Sequence, residues 1–292
     1  MMIKKIGLAL LLTGALAACG TAQTAAGGEH GTEHPSGAPA DAGVGHIHGL
    51  GVDPATGKTF VAGHYGLFTV EAGKLVRVGD RIADHMGFTV AGPGTFYASG
   101  HPSSGDIAKG EAPHLGLIRT VDGGKTWEQV ALAGKADFHA LMVAGTTVYG
   151  YDTQTGQIWR GPDGGKDLKA EARLDLLDLG AGAAAPDTVY ATTPEGVKIS
   201  TDGAKTFTPL KGAPLLSFID VPDAGRLAGI APDGQIHLSA DTGKTWQTAG
   251  RLPMQAVAFT AVNADRFLAA TMEGTVYESV DGGENFTVVA KP

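Results

Sequence analysis

The chain has 292 residues and a formal net charge of −8, with 22 Lys plus Arg against 30 Asp plus Glu. No cluster of basic residues interrupts this balance, which argues against a nucleic-acid partner. With 43% hydrophobic residues, only 18% charged residues and 45 glycines, the composition is typical of a tightly turned all-β protein. The single cysteine excludes an internal disulfide and a thiolate metal cluster.

Residues 1–18 have the layout of a secretory signal. Two lysines precede the apolar run Ile6–Leu12, which is too short to span a bilayer as a permanent helix. The ending Leu16-Ala-Ala-Cys19 resembles the bacterial lipoprotein lipobox, which implies cleavage before Cys19 and attachment of a diacylglyceryl group to its sulfur. The resemblance predicts an extracytoplasmic protein anchored to the bacterial membrane. Gly20 in place of Asp favours the outer membrane if the host is Gram-negative.

Residues 19–43 are predicted to be a flexible tether. They are dominated by Gly, Ala, Thr, Pro and Glu and contain no large apolar side chain, so they cannot bury a core. The tether carries His30 and His34. Residues 44–292 are predicted to form one folded domain.

This domain is predicted to consist of a unit that repeats about every 40 residues. Five aspartates recur at intervals of 39 to 41 residues: Asp122, Asp163, Asp202, Asp241 and Asp281. The clearest copy reads Thr120-Val-Asp-Gly-Gly-Lys-Thr-Trp127, three further copies begin at Ser200, Ser239 and Ser279, and the copy at Asp163 is worn. A period near 40 indicates stacked supersecondary units.

The repeated segment resembles the Asp-box (BNR) repeat of the sialidase and sortilin-type β-propellers. Its chemistry fits a hairpin: the aspartate accepts backbone N–H bonds of its own turn, a glycine takes the left-handed conformation, and the aromatic residue starts the next strand. We therefore expect a structural role for all five aspartates.

Each unit also contains short apolar or alternating runs, which indicate four strands per unit. In the third unit these are Ala140–Val143, Thr147–Gly150 and Gln157–Arg160 before the turn, and one run after it. Four strands are the content of a propeller blade. We predict an all-β, six-bladed β-propeller of four-stranded antiparallel blades with Asp-box turns between the third and fourth strands. The first blade starts at His46, its turn is eroded to Val70–Lys74, and no obvious strand exchange joins the termini.

The histidines set the first three blades apart, since nine of ten lie in the first half of the chain. In an antiparallel blade the first strand starts, the second ends and the third starts at the face opposite the Asp-box turn, which we call the top face. Seven histidines are predicted to converge there: His46, His48, His64, His85, His101, His114 and His139. Loops could turn His64 and His114 outward.

These side chains suit a transition metal. His46 and His48 are two residues apart, so in a regular strand they point to the same side and can reach one ion. Neutral imidazole suits zinc, copper, nickel or iron, and the thioether of Met86 favours copper. Asp84 and Asp137 each lie just before a histidine and could orient an imidazole. We expect a metal site for storage, delivery or sensing, with copper favoured over zinc.

A glycoside hydrolase or glycan-binding protein is an alternative implied by the Asp-box resemblance. A sialidase-like site needs three arginines around a carboxylate, and Arg81, Arg173 and Arg251 lie in connections predicted on the top face. However, the Arg-Ile-Pro signature that opens a sialidase domain is absent. The sequence also fixes no working pair among the acidic residues expected on top loops, which are Asp106, Glu111, Asp152, Glu195 and Glu273.

A protein-binding scaffold is a further alternative, because sortilin-like and photosystem-assembly propellers resemble this repeat. The insertion Pro102–Pro113 lengthens the second blade by about ten residues. Such a loop is a natural recognition element.

Overall fold

The computed structural model describes residues 43–292, which form an all-β propeller of six four-stranded antiparallel sheets. This confirms the predicted fold class. The signal sequence of residues 1–18, Cys19, His30 and His34 lie outside the described residues. Within the described part, neither helix is long and apolar enough to cross a membrane.

The first three blades contain twelve strands and two short helical elements. The first blade consists of β1 (Ile47–Val52), β2 (Thr59–Gly63), β3 (Gly66–Glu71) and β4 (Lys74–Arg77). The second consists of β5 (Ala83–Gly92), β6 (Thr95–Pro102), α1 (Ser104–Ala108), β7 (Leu117–Thr120) and β8 (Glu128–Ala131). The third consists of β9 (Phe138–Ala144), β10 (Thr147–Asp152), β11 (Gln157–Gly161), α2 (Pro162–Gly165) and β12 (Lys169–Arg173).

The last three blades are made of strands alone among the described residues. The fourth blade consists of β13 (Asp178–Ala181), β14 (Val189–Thr193), β15 (Gly196–Ser200) and β16 (Thr208–Pro209). The fifth consists of β17 (Phe218–Asp223), β18 (Arg226–Ile230), β19 (Gln235–Ser239) and β20 (Gln247–Arg251). The sixth consists of β21 (Ala256–Ala261), β22 (Phe267–Thr271), β23 (Val276–Ser279) and β24 (Thr287–Ala290).

The core lies between neighbouring blades. Phe60 and Leu67 of the first blade pack with Phe88 and Phe96 of the second, and Phe96 is fully buried. Such burial contributes about 1.5–3 kcal/mol per large apolar side chain. Second strands such as β2 and β10 are covered on both faces by adjacent sheets, so they are continuously buried, whereas fourth strands such as β12 at the outer edge are largely exposed.

The ring closes with whole blades, because each sheet is built from four strands consecutive in the chain. Val44 and Phe68 share a core cluster with Leu268 and Ala290 of the sixth blade. The only isolated bridge among the described strands joins Lys74 to Lys291. The first and sixth blades are therefore held together by side-chain packing and this one backbone bridge, without strand exchange.

The turns between third and fourth strands are hydrogen-bonded through their aspartates. Asp122 accepts the backbone N–H of Thr126 at 2.9 Å and its hydroxyl at 2.6 Å. These hydrogen bonds lower the pKa of Asp122 to about 2. Gly124 has φ +90°, and a Cβ there would clash with Leu67 of the first blade. The same bonding recurs at Asp202, Asp241 and Asp281.

Two turns depart from this pattern. Asp163 lies in α2 with φ 50°, followed by Gly164 with φ 76°. The first blade has a two-residue turn in which Ala72 and Gly73 both have positive φ. The insertion of the second blade contains α1, whose first turn is capped by Ser103 accepting the backbone N–H of Asp106 at 3.2 Å.

Candidate metal centre on the top face

The topology brings the seven predicted histidines to the face opposite the turn aspartates. His46 precedes β1, and His48 lies in it; His64 lies between β2 and β3. His85 and His101 lie in β5 and β6, His114 lies just before β7, and His139 is the second residue of β9. Their ring contacts divide them into two groups and one separate residue.

The first group is centred on Asp84 and is called here the first triad: His48, His64 and Asp84. Nδ1 of His64 lies 2.8 Å from Oδ2 of Asp84, and Nε2 of His48 lies 3.3 Å from Oδ1. One ligand atom from each residue lies within 4.8 Å of the others. The aspartate is buried, at 4% exposure, between two half-buried rings. The first triad thus presents two nitrogens and one carboxylate toward a common point.

Two atoms of the first triad have no hydrogen bond although both are buried. Nε2 of His48 and Oδ1 of Asp84 lie 3.3 Å apart, but the contact does not have the geometry of a hydrogen bond. An unsatisfied buried polar group costs roughly 1–3 kcal/mol. A cation between the two atoms would satisfy both.

The charge of Asp84 favours a cation ligand. Burial raises its pKa, but the contacts with His48 and His64 outweigh burial and hold the pKa below its ordinary value. The carboxylate is therefore ionised at neutral pH. Two imidazoles with one carboxylate form a donor set for a divalent transition metal.

A β-bulge separates His46 from His48. The register between β1 and β2 shifts between Ile47 and Gly49, which leaves His48 as the extra residue and breaks the two-residue alternation. His46 is exposed, with its ring centroid 6.5 Å from that of His48 and 6.4 Å from that of His64. The structure therefore groups His48 with His64, and His46 stands at the edge of the first triad.

The second group is centred on Asp137 and is called here the second triad: His101, His114 and Asp137. Nε2 of His101 lies 3.2 Å from Oδ2 of Asp137, and one ligand atom from each residue lies within 4.8 Å of the others. Nε2 of His139 lies 3.0 Å from the same oxygen. Burial raises the pKa of Asp137, but His101 and His139 outweigh it and hold the pKa well below its usual range.

His85 belongs to neither triad. It is 1% exposed and packs against the ring of Trp127, with centroids 5.2 Å apart. Burial lowers its pKa to about 4, so the imidazole is neutral at pH 7. Met86 is buried at a second register shift, between His85 and Gly87 of β5. His85 is therefore buried against Trp127 rather than grouped with either triad.

The first strands enclose a central cavity of about 690 Å³, with His48 and His139 on its wall. Two aspartates that sequence reasoning missed, Asp178 and Asp220, also line this cavity. Asp178 accepts the backbone N–H of Ile219 at 2.9 Å, and Asp220 accepts that of Ala261 at 3.0 Å. Each bond joins the first strands of neighbouring blades. A carboxylate inside an otherwise apolar first strand was the available signal.

The three predicted arginines each have a partner in their own blade. Arg81 pairs with Glu111 at 3.1 Å. Nε of Arg173 donates to Gln157 at 3.2 Å, and Arg251 pairs with Asp233 at 2.9 Å. Their known contacts are thus within single blades rather than around a shared ligand.

Comparison with solved structures supports the fold. A GH74 enzyme of Niastella koreensis is 14% identical with a TM-score of 0.58, and a GH74 xyloglucanase from Xanthomonas campestris is 16% identical with a TM-score of 0.55. Each comparison covers 84% of this chain but only 45% of the GH74 chain. YCF48 bound to D1 peptide is 18% identical with a TM-score of 0.53, covering 84% of this chain and 82% of that one.

Neither a protein-family model nor a curated protein matches the chain. Identities of 14–18% to the solved structures establish the shared β-propeller fold and nothing finer. Function must therefore be argued from the site.

Proposed function

We propose that this chain is a lipid-anchored, extracytoplasmic β-propeller that binds a transition metal on its top face and acts in metal handling. The first triad is the proposed site. The observation that carries the proposal is the pair formed by Nε2 of His48 and Oδ1 of Asp84, which are buried 3.3 Å apart without a hydrogen bond.

The spacing within the first triad fits metal coordination. Ligand atoms about 2.1 Å from one ion and at right angles to each other are about 3 Å apart. The separations between Asp84 and the two rings are 2.8 and 3.3 Å. Exposed His46 lies close enough to the first triad to serve a site that exchanges its ion with solvent.

Copper is favoured over zinc on the strength of the donor set. For a given set of nitrogen and oxygen ligands, affinity among divalent first-row metals is highest for Cu²⁺. The ionised carboxylate of Asp84 suits Cu²⁺ better than Cu⁺, which prefers thiolate and thioether ligands. Imidazole and carboxylate, rather than the Met86 thioether, thus favour copper.

The metal proposal is tested by titrating the detergent-solubilised full chain with Cu²⁺ and Zn²⁺ against a chelator of known affinity. His48→Ala/His64→Ala is expected to weaken the tightest binding by more than about 100-fold, because two of three ligands are lost. His237→Ala, which removes an imidazole from β19 of the fifth blade, is the matched control. Equal affinities of the two variants would remove the proposal.

The anchor is tested separately through Cys19. Replacement by Ser removes the sulfur that a lipid would modify, so the protein is expected to move from the membrane to the soluble fraction. Metal affinity should be unchanged, since Cys19 precedes the propeller by more than twenty residues. Retention of the Cys19→Ser chain in washed membranes would contradict lipid anchoring.

Glycoside hydrolysis is the second candidate, favoured by the likeness to the GH74 enzymes. The acidic residues of the top loops are its candidate catalysts, although Asp152 already accepts the hydroxyl of Thr155 at 2.6 Å and the backbone N–H of Gln154 at 3.2 Å. A panel of aryl glycosides that includes sialosides tests it. Product release that survives chelation would favour hydrolysis over metal handling.

Peptide or protein binding is the third candidate, favoured by the likeness to YCF48 bound to D1 peptide. The insertion carrying α1 is the candidate contact surface. A partner that is captured from detergent-solubilised membranes and retained in chelator would support this candidate. Release of the partner by chelator would instead show that its binding depends on a metal ion.

A further inference from the structure

We infer that the top face holds a second, separate transition-metal site in the second triad, formed by His101, His114 and Asp137. The inference deepens the proposed function and rests on it for the class of metal. It divides the seven histidines into two centres that share no side chain. His139, which contacts Asp137 at 3.0 Å, lies at the edge of the second centre.

The two triads are adjacent but use different blades. The first joins the first blade to Asp84 of β5, and the second joins the second blade to Asp137 at the start of β9. Asp84 and His101 are cross-strand partners in the β5–β6 pair. Directly opposed residues in antiparallel strands have Cα atoms about 4.5–5.5 Å apart. One strand pair therefore supplies a ligand to each centre.

The hydrogen bond of His101 shows which of its nitrogens faces the carboxylate of Asp137. Nδ1 lies 3.2 Å from the backbone carbonyl of Pro113, and a carbonyl only accepts, so the hydrogen is on Nδ1. The other ring nitrogen, Nε2, faces Oδ2 of Asp137 at 3.2 Å. A metal ion between these two atoms would be bound by both of them. A carbonyl that orients a ring in this way is the usual outer partner of a metal-ligating histidine.

Asp137 supplies an independent observation. Asp137 is 3% exposed, and its Oδ1 is buried without a hydrogen bond. Its other oxygen, Oδ2, is contacted by both His101 and His139. A buried carboxylate oxygen normally has a donor. A metal ion held by Oδ1 or by both oxygens removes this deficit.

The insertion Pro102–Pro113 connects the two histidines of the second triad. His101 immediately precedes it, His114 immediately follows it, and its last residue orients His101 through a carbonyl. The ring centroids of the two histidines are 5.2 Å apart. His114 is half-buried and contacts the amide of Gln154 at 3.1 Å, whereas His101 and Asp137 are buried. The second centre therefore opens to solvent on the side of His114.

The test counts metal ions per chain in the full-length protein, in detergent, with His30→Ala and His34→Ala in every sample so that tether imidazoles do not contribute. Elemental analysis after equilibrium dialysis against Cu²⁺ is expected to give two ions. His48→Ala/His64→Ala and His101→Ala/His114→Ala should each retain one, and the fourfold variant none. His237→Ala should retain two. Circular dichroism monitors folding, and His114→Ala alone, at the exposed side of the centre, is the variant least disturbing to the fold.

The outcomes separate the two proposals. One ion in the parent and one in His101→Ala/His114→Ala would overturn the second centre and leave the first. Loss of both ions in either double variant would show a single shared centre and overturn the division. No ion in the parent would overturn the proposed function as well. Two neighbouring Cu²⁺ ions should also broaden the electron paramagnetic resonance spectrum of the parent, and each double variant should sharpen it.

Discussion

Blades one to three and blades four to six place aspartates near the starts of their first strands but give them different partners. Asp84 and Asp137 face histidines, and their pKa values are lowered despite burial. Asp178 and Asp220 accept backbone N–H groups of the next blade, and burial raises their pKa values, that of Asp178 to about 7. Imidazole contacts thus keep Asp84 and Asp137 charged, whereas the backbone amides, together with the Thr260 hydroxyl at Asp220, do not outweigh the burial of the other two. Aspartates near the starts of first strands thus contact imidazoles in one half and join neighbouring blades in the other.

The largest expected effect comes from removing a charge in the first half. Asp84→Asn should weaken Cu²⁺ binding by at least about 100-fold, because the neutral amide cannot replace the ionised ligand. Asp178→Asn, the matched change in the second half, should leave the affinity unchanged. Chelator-competition titration measures both. An equal loss in the two variants would erase the distinction between the halves.

The turns of the bottom face should behave alike in both halves. Gly124→Ala and Gly243→Ala each place a Cβ against a leucine of the preceding blade at positive φ, so each should lower the free energy of unfolding by about 2–3 kcal/mol. Urea denaturation measures the loss. Gly123→Ala is the control, since its φ is also positive but nothing lies within 4 Å of the new Cβ. A cost confined to one half would show that the turns are not equivalent.

The smallest expected effect is a pH dependence confined to the second half. The pKa of Asp178 is raised in the folded state to about 7, so its contribution to stability is present below its unfolded pKa near 4 and is lost as pH rises through 7. Asp178→Asn should reduce the decline in unfolding free energy between pH 5 and pH 8 by on the order of 1 kcal/mol. Denaturation of both proteins at the two pH values checks it. A steeper decline in the variant would reverse the assigned sign.

The architecture was predictable because the period and the turn chemistry repeat. Counting back from the five aspartates to His46 predicted six blades, and the apolar runs of the third unit fall within β9, β10 and β11. Each blade must bury its faces against its neighbours, so the fold follows from regularities that recur along the chain. The insertion was visible as a break in the same period.

The grouping of the site was not predictable, because it depends on local breaks in regularity. The two-residue alternation of a regular strand predicted that His46 and His48 point to the same side. The bulge at His48 breaks this alternation, and His48 is grouped with His64 of the turn between β2 and β3 instead. His85 was expected on the top face with the other histidines. Instead it packs against Trp127, which follows the turn at Asp122. Contacts of this kind arise from the packing of blades and have no signature within a single strand.

Closure by whole blades has a consequence for how the chain could be rewired. Val44 and Ala290 occupy the same core cluster, so the two ends of the folded part are close in space. Closely spaced ends permit circular permutation. A short linker could join the two ends of the folded part, with new chain ends opened between β12 and β13. Residues 46–139 would then stay contiguous, and both triads would lie within one uninterrupted stretch of the permuted chain.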